Sequence, residues 1–271
     1  MSKLDDLKNI LRDMGRVMVA FSGGVDSSFL LRVGKEVLGD NILAVTARSE
    51  TYPQAELEEA KKIAQLIGIR HLIITSEELE IPGFQDNPPN RCYYCKKELF
   101  EKLKELAVQE GIDFIADGSN CDDLGDHRPG MLAARELGVR SPLKEAGLTK
   151  KEIREYSYAL GLPTWEKPSF ACLASRFPYG EKISQEKLRR VDRAEEFLRA
   201  KGFKQLRVRH HDGIARIEVD KKDLGKFLQY NLATEVVAKL KELGFNYITL
   251  DLEGYRMGSM NEVLPLEMKR K

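Results

Sequence analysis

The chain has 271 residues, enough for one large domain or two modest ones with a substantial core. Its 44 lysines and arginines balance 43 aspartates and glutamates, so the net charge of +1 does not favour a nucleic-acid or membrane partner. No apolar run resembles a signal peptide or is long enough to span a bilayer, and we expect a cytoplasmic protein. In that compartment the four cysteines are expected to be metal ligands or reactive thiols rather than disulfides.

The first half of the sequence alternates short apolar strands with helices. The predicted strands span residues 16–21, 41–47, 70–75 and 113–117, and the predicted helices between them span 28–38, 53–67 and 95–109. This β-α repetition predicts an α/β fold, in which a parallel sheet is covered by helices on both faces. Ligands in such sheets bind at the carboxyl ends of the strands, so residues 22–28, 46–50 and 117–123 are expected to converge.

The second half is predicted to carry a small α+β domain. Residues 77–91 lack periodicity and predict a mobile loop beside the site, whereas the aromatic residues of 163–180 indicate an ordered connector. The remaining pattern predicts a helix over 149–160, a helix over 184–200, strands over 205–209 and 214–219, a helix over 221–243 and a strand over 247–252. The predicted division is a first domain over 1–162, a connector over 163–183 and a second domain over 184–271.

Residues 22–28 read SGGVDSS and connect the first predicted strand to a helix. Gly23 and Gly24 allow a tight turn in which successive N–H groups point at one anion, and the helix N-terminus adds its positive dipole end. The segment is not a Walker A loop, which requires a Gly-Lys-Ser/Thr ending. It resembles the pyrophosphate loop of the PP-loop ATP pyrophosphatases, which cleave ATP to AMP and pyrophosphate. An ordinary glycine-rich turn is the alternative, and the flanking strand and helix argue against it.

The polar side chains of this loop suit a nucleotide. Asp26 is a first-turn carboxylate that the helix dipole favours by itself, and the resemblance implies that it also lies near Mg²⁺ and the pyrophosphate. Ser22, Ser27 and Ser28 supply hydroxyl donors for phosphate oxygens, although each is also a typical helix cap.

Two further segments are candidates for ATP binding. Residues 117–123 read DGSNCDD, which by itself is a polar turn. A similar turn in PP-loop synthetases and sulfurtransferases lies near the ribose and phosphates, which implies this role for Gly118, Asn120 and Asp123. PP-loop folds hold adenine through backbone groups after the second strand, where this chain has Ala47, Arg48 and Ser49.

Cys92 and Cys95 form a Cys-x-x-Cys pair at the mouth of a predicted helix. Two buried structural thiols are one interpretation, and no thioredoxin-like setting supports a redox dithiol. Metal binding is the preferred interpretation, but the pair supplies only two ligands. A zinc site would need two more, with Cys121, Cys172, His127, His210 and His211 as the candidates. Three thiolates, those of Cys92, Cys95 and Cys172, would suffice for an iron–sulfur cluster with one open iron.

Cys172 lies among apolar residues, where a lone cysteine is usually a small buried hydrophobe. Arg176 follows closely, and a nearby guanidinium favours the thiolate. Together with the ATP loop, this makes Cys172 the candidate sulfur carrier. In the C-terminal domain, Arg207 and Arg209 alternate along a strand and share a face. That face is either solvated or forms a bidentate clamp for a phosphate or carboxylate.

Six sequence blocks together resemble the LarE family of ATP-dependent sulfur transferases, which help build the nickel-pincer nucleotide cofactor of lactate racemase. The blocks are SGGVDSS, NPPNRCYYCKKELF, DGSNCDD, GVRSPL at 138–143, PSFACLASRFPYGE and RVRHH, and they cover nearly the whole chain. The resemblance implies that ATP adenylates a carboxylate of pyridinium-3,5-dicarboxylate mononucleotide. Sulfur then displaces AMP to give a thiocarboxylate, and the second carboxylate follows in the same way.

The resemblance also implies roles for individual residues. Cys172 matches the sulfur-bearing cysteine, which in one branch gives up its own sulfur and becomes dehydroalanine. Cys92 and Cys95 depart from that branch and match another, in which three cysteines hold a 4Fe-4S cluster whose open iron carries an extra sulfide. Arg207 and Arg209 match a phosphate-binding pair. The implied cofactors are ATP, Mg²⁺ and the cluster, and the implied partners are the pyridinium nucleotide, a sulfur donor and further copies of the chain.

Three rival functions remain open at this stage. A tRNA thiolase would share the loop, the adenylation step and sometimes a three-cysteine cluster, but it normally needs a basic RNA-binding surface. An amide-forming synthetase that uses ammonia would leave the cysteines unexplained. An ATP-binding regulator would release no pyrophosphate.

Overall fold

The computed structural model describes residues 2–125, 129–169, 171–256 and 258–265. These residues divide into two compact units. Of these residues, the first unit contains 2–78, 90–125 and 129–169, and the second contains 79–89, 171–256 and 258–265. The chain therefore crosses from one unit to the other at three points, not at one. The predicted domain boundaries at 162 and 183 remain a proposal.

The first unit is built on four strands and seven helices of the described chain. In chain order they are α1 (Lys3–Met14), β1 (Val17–Ala20), α2 (Val25–Leu38), β2 (Ile42–Arg48), α3 (Gln54–Ile67), β3 (Arg70–Thr75), α4 (Arg91–Glu110), β4 (Phe114–Ala116), α5 (Pro129–Glu136), α6 (Pro142–Glu145) and α7 (Lys150–Ala159). The strands form a parallel sheet in the order β3-β2-β1-β4.

Helices cover both faces of this sheet because side chains alternate along each strand. Val17 and Val19 of β1 belong to a buried cluster that includes residues of α1, α2, α3 and α7. Met18 faces the other way, into a second buried cluster with Phe100 and Leu103 of α4. The predicted α/β fold with a parallel sheet is confirmed.

The second unit contains a three-stranded sheet and two helices within the described chain. Its elements are α8 (Gln185–Ala200), β5 (Leu206–His211), β6 (Ile214–Val219), α9 (Tyr230–Glu242) and β7 (Tyr247–Leu250). β5 and β6 are antiparallel, and β6 and β7 are parallel. The β5–β6 turn is Asp212-Gly213, and both residues have positive φ, as a tight primed hairpin turn requires.

Several elements differ from the sequence predictions, among them the short helices α5 and α6, which had not been predicted. The helix predicted over 221–243 is a 3₁₀ turn, Lys221–Leu228, followed by α9, because Gly225 weakens the first stretch as an α-helix. α4 begins four residues earlier than predicted and therefore includes both cysteines of the Cys-x-x-Cys pair. α1, with a capping box at Ser2 and Asp5, had not been predicted.

The segment 79–89, part of the predicted mobile loop, is packed into the second unit. Phe84 and Asn87 are buried. The Asn87 amide donates to the carbonyl oxygens of Phe177 (3.2 Å) and Pro178 (2.7 Å), and the Gly180 N–H donates to the Asn87 carbonyl (3.0 Å). Across the described ranges, no helix is both long and apolar enough to cross a membrane.

Candidate active site

The SGGVDSS loop connects β1 to α2 at the carboxyl edge of the sheet. Gly23 has a φ of +64°, a conformation that residues with a Cβ rarely adopt. A Cβ at this position would lie 3.1 Å from the Cβ of Ala60 in α3. Glycine is therefore required at position 23 both by the backbone conformation and by the neighbouring helix.

The first turn of α2 presents N–H groups that are available to an anion. Gly24 is the N-cap, and no side chain within the described chain caps it. The Ser22 and Ser27 hydroxyls are 3.3 Å apart, and the Ser27 hydroxyl also approaches the Gly24 carbonyl oxygen (3.4 Å). Uncapped N–H groups at a helix N-terminus, next to two hydroxyls, form a typical phosphate-binding arrangement.

Asp26 lies in the first turn of α2 and has two partners from later in the chain. The Asn120 amide donates to its carboxylate (3.2 Å), and Lys150 forms an ion pair with it. Lys150 is the first residue of α7, and its backbone N–H donates to Asp122 (2.8 Å). Lys150 was not among the predicted site residues, because the capping box at Thr149 predicts only that a helix starts there.

The DGSNCDD turn follows β4 and packs against the start of α2. A Cβ on Gly118 would lie 3.0 Å from the Ser27 backbone nitrogen, so the glycine allows the close approach. Asp123 accepts from the Asn120 N–H (2.9 Å) and thereby shapes the turn. β4 lies beside β1 on the side opposite β2, so the two loops meet where the strand order reverses, the usual ligand-binding position in such sheets.

The predicted adenine segment lies at the same edge of the sheet. Ala47 and Arg48 end β2, which pairs with β1. The Ser49 hydroxyl is 3.2 Å from Thr51 Oγ1 and 3.2 Å from a carboxylate oxygen of Glu78. Since the Ser49 hydroxyl is held by these partners, backbone groups of the segment are the better candidates for contacting a base.

Cys92 and Cys95 are the second and fifth residues of α4, three residues apart and hence on the same side of the helix. Cys92 is exposed. The Cys95 thiol donates to the carboxylate of the buried Glu78 (3.0 Å), which also accepts from Thr51. Two thiols on one side of a helix fit as two ligands of a metal cluster. Glu78 was not among the predicted site residues.

The histidines named as alternative zinc ligands have other partners in the second unit. His210 Nδ1 lies 2.5 Å from Glu181 Oε1, and the Arg216 Nε–H donates to His211 Nε2 (3.2 Å). His127 lies outside the described residues. In the part of the chain that is described, no group of three or more His, Cys, Asp or Glu side chains is placed to hold a metal ion.

Cys172 lies in the second unit, at the start of the 3₁₀ turn Leu173–Arg176. Arg176 is completely buried, and its guanidinium donates to the carbonyl oxygens of Ala171 (2.6 Å) and Cys172 (3.1 Å). It also forms a two-pronged ion pair with the equally buried Glu195, at 2.8 and 2.9 Å. Arg176 therefore holds the backbone at Cys172, and its predicted influence on the Cys172 thiolate stays a prediction.

Arg207 and Arg209 are buried on one face of β5, although their alternation is also typical of a solvated face. Arg207 stacks over the Tyr255 ring at 5.2 Å, and burial together with the charge of Arg176 lowers the pKa of Arg207 to about 10. Arg209 pairs with Glu218 (2.7 Å) and donates to the Ser175 carbonyl (2.9 Å). Its Nε is buried without a hydrogen-bond partner among the described residues.

Comparison with known proteins identifies the family. Residues 5–86, which contain the SGGVDSS loop, match the family described as asparagine synthase. The chain is 47% identical to an uncharacterized protein of Synechocystis sp., over 97% of this chain and 98% of that protein. It is 40% identical to the pyridinium-3,5-bisthiocarboxylic acid mononucleotide synthase of Lactiplantibacillus plantarum, over 94% of this chain and 92% of that protein. The chain belongs to the LarE family.

Membership of the LarE family confirms the predicted enzyme class, an ATP-dependent sulfurtransferase on a PP-loop fold. A tRNA-specific 2-thiouridylase of Treponema denticola is also similar, at 29% identity, but over only 56% of this chain and 47% of that enzyme. The likeness to a tRNA thiolase is therefore partial, whereas the likeness to the LarE-family synthase extends over nearly all of both chains.

Proposed function

We propose that the protein converts the carboxylates of pyridinium-3,5-dicarboxylate mononucleotide to thiocarboxylates, for the nickel-pincer nucleotide of lactate racemase. The observation that carries the proposal is the 40% identity, over 94% of this chain, to a synthase named for the bisthiocarboxylic product. The helix start at Gly24, which no side chain among the described residues caps, supports the proposal, and so does the presence of the Cys172 thiol.

The first step is adenylation of a substrate carboxylate. A carboxylate oxygen attacks the α-phosphorus of ATP, pyrophosphate leaves, and the acyl adenylate that forms has AMP as a good leaving group. The N–H groups at the start of α2 and the Ser22 and Ser27 hydroxyls would stabilise the departing pyrophosphate. We assign Asp26 to Mg²⁺, which would neutralise phosphate charge. Gly118, Asn120 and Asp123 would contact the ribose and phosphates, and residues 47–49 the adenine.

The second step is attack of sulfide sulfur on the acyl carbon, with AMP leaving as the C–O bond breaks. We assign ligation of a 4Fe-4S cluster to Cys92, Cys95 and Cys172, and the role of sulfur carrier to Cys172 itself in the alternative without a cluster. Such a cluster would supply an open iron that holds the sulfide to be transferred. The thiols of Cys92 and Cys95 on one side of α4 support the assignment, as does the chemistry of the donor set.

The substrate phosphate is assigned to Arg207 and Arg209. Both guanidinium groups are already engaged with protein partners, so the phosphate would have to displace some of these partners or share the donors. The Nε of Arg209, which has no hydrogen-bond partner among the described residues, is one donor that needs no displacement. We also propose that the enzyme works in the cytoplasm as a homo-oligomer, with a separate sulfur donor and without nucleic-acid or membrane partners.

The cluster is tested by purifying the full chain without oxygen and measuring bound iron and acid-labile sulfide. We expect stoichiometric iron and sulfide in the wild type, loss of both in Cys95→Ser, and retention in the matched control Cys121→Ser. Absence of iron from the reconstituted wild type would overturn the cluster and leave Cys172 as a single-use sulfur donor or zinc as the metal.

The reaction is tested by mixing the reconstituted protein with ATP, Mg²⁺, sulfide, an ammonium salt and the pyridinium dicarboxylate nucleotide. We expect pyrophosphate release that depends on the nucleotide, and a product whose mass shows oxygen-to-sulfur exchange. Pyrophosphate release without sulfur incorporation, and with ammonia incorporated instead, would favour an amide-forming synthetase. Salt-sensitive binding of tRNA would favour a thiolase.

A further inference from the structure

We propose that two residues outside the SGGVDSS segment, Tyr52 and Lys167, orient the N–H groups of the loop toward the phosphates of ATP. The inference rests on the proposed function in one respect, namely that the loop binds ATP phosphates. It assigns positioning roles that neither the loop motif nor the family comparison indicates.

Both side chains donate to consecutive carbonyl groups of the loop. The Tyr52 hydroxyl donates to the Ser22 carbonyl oxygen (2.9 Å). The Lys167 ammonium donates to the Gly23 carbonyl oxygen (3.1 Å). Tyr52 precedes α3, and Lys167 follows the 3₁₀ turn Pro163–Glu166, so the two donors come from distant parts of the sequence.

The two donors lie on the same side of the loop, next to the start of α3. Lys167 forms ion pairs with Glu56 (2.7 Å) and Glu59 (2.9 Å) of that helix, and its side chain is only 10% exposed. The charges of the same two glutamates act on Tyr52. Gly23 also approaches α3 at Ala60. The carbonyl groups of Ser22 and Gly23 therefore face α3.

Peptide geometry then fixes the direction of the N–H groups. The C=O of one residue and the N–H of the next belong to one planar trans peptide and point in opposite directions. Because the Ser22 and Gly23 carbonyls face α3, the N–H groups of Gly23 and Gly24 face away from it. Consecutive N–H groups turned to one side form an anion-binding concavity, here continuous with the N-terminus of α2.

The two donors are suited to a fixed arrangement. Burial, with the negative charges of Glu56 and Glu59, raises the pKa of Tyr52 above its ordinary value, so its hydroxyl remains a donor. Glu56 and Glu59 hold the Lys167 ammonium in place and balance its charge. Lys167 therefore acts on the loop as a hydrogen-bond donor, not as a free positive charge available to phosphate.

The experiment measures binding of inorganic pyrophosphate and of AMP, each with Mg²⁺, to the full chain by calorimetry. Loss of one such hydrogen bond should weaken pyrophosphate binding about fivefold in Tyr52→Phe and in Lys167→Met. AMP binding should change much less, since the loop is assigned to the leaving pyrophosphate. Tyr247→Phe and Lys151→Met are matched controls at exposed positions and should bind both ligands as the wild type does.

A spectroscopic measurement separates orientation from general loss of structure. In protein labelled with ¹⁵N-glycine, pyrophosphate should shift the Gly23 and Gly24 amide signals of the wild type, and these shifts should shrink in Tyr52→Phe. If Lys167→Met does not fold, Lys167→Arg should retain pyrophosphate binding, because its guanidinium still donates. Wild-type pyrophosphate affinity and unchanged glycine shifts in Tyr52→Phe would overturn the proposal.

These binding measurements do not depend on the pyridinium substrate. If the wild type binds pyrophosphate but does not thiolate the pyridinium nucleotide, the proposed substrate is refuted. The pyrophosphate affinities of the Tyr52 and Lys167 variants then still decide whether these residues orient the loop. A wild type that binds neither ATP nor pyrophosphate would refute both.

Discussion

The SGGVDSS loop of the first unit differs from the arginine cluster of the second unit in the hydrogen-bond donors that it presents. The arginine cluster consists of the buried side chains of Arg176, Arg207 and Arg209. The loop presents backbone N–H groups, and Tyr52 and Lys167 donate hydrogen bonds to the carbonyl oxygens of the same peptide units. The arginine cluster offers side chains that are buried and already paired, as Arg176 is with Glu195 and Arg209 with Glu218. The helix start after the loop has no side-chain cap among the described residues, whereas most donors of these buried arginines already have protein partners, the Nε of Arg209 excepted.

The difference separates binding from stability. N–H groups at a helix start are ordinarily solvated. A substitution that disturbs their orientation should therefore lower the affinity for a ligand more than it lowers the free energy of unfolding. A fully buried ion pair behaves otherwise, since breaking it leaves an unpaired charge away from water. Substitutions in the loop should therefore change affinity first, and substitutions in the arginine cluster should change stability first.

The largest expected effect is that of Arg176→Met. Arg176 and Glu195 are both fully buried, so the variant leaves a carboxylate without its main partner and should lose about 3–5 kcal/mol of unfolding free energy. Urea denaturation measures the loss, and Arg189→Met, at an exposed position, is the control. If the variant unfolds at the same urea concentration as the wild type, Arg199 and the Val208 N–H are sufficient hydrogen-bond partners for Glu195 without Arg176.

Gly23→Ala should have the next largest effect. The positive φ costs a residue with a Cβ about 1–2 kcal/mol, and the 3.1 Å approach to Ala60 forces the loop to move. We expect ATP binding to fall well below that of the wild type, as measured by calorimetry. Gly39 also has a positive φ, of +60°, but a Cβ at this position would meet nothing within 4 Å. Gly39→Ala should therefore lower stability without lowering the affinity for ATP. Equal ATP affinities for the two variants would contradict the assignment of the loop.

Lys150→Met should have a smaller effect on stability and a selective effect on turnover. The ion pair with Asp26 is partly exposed, so its loss should cost less than about 1 kcal/mol of unfolding free energy. Asp26 would lose a partner that orients it, and we expect slower pyrophosphate release at saturating ATP. Lys144→Met is the control, and an unchanged turnover number would argue against a role for Lys150.

The smallest expected effect is a pH dependence that comes from His210. Burial lowers the pKa of this histidine below 6.5, and the positive charges of Lys187 and Arg190 lower it further. Glu181 acts in the opposite direction. As the pH falls below about 6.5, His210 binds a proton in the unfolded chain before it does so in the folded chain. The free energy of unfolding therefore falls until the pH reaches the pKa of His210 in the folded chain. Urea midpoints between pH 7 and 5 should show a smaller decline in His210→Gln, and identical slopes would contradict this source.

Local patterns in the sequence predicted much of the first unit. The strands, the helix that starts at Thr149 and the loop at Gly23 each depend on neighbouring residues, and all are present as expected. Convergence of the loops after β1 and β4 followed from the rule that ligands bind at the carboxyl ends of parallel strands.

The missed features depend on residues far apart in the sequence. Lys150, Tyr52 and Lys167 acquire their roles only when distant segments fold together, and no spacing rule marks them. The alternation of Arg207 and Arg209 identified a shared face but not its burial, because Tyr255 and Glu218 cover it from other elements. Residues 79–89 carry no periodicity, so their place in the second unit could not be inferred.

The discontinuous second unit also has a consequence for the order of synthesis. Phe84 and Asn87 emerge from the ribosome long before Phe177 and Pro178, the residues whose carbonyls Asn87 binds. At roughly 5–20 residues per second, the segment waits for several seconds without its native neighbours. A chain that stops near residue 170 would therefore lack the two carbonyl groups that bind Asn87.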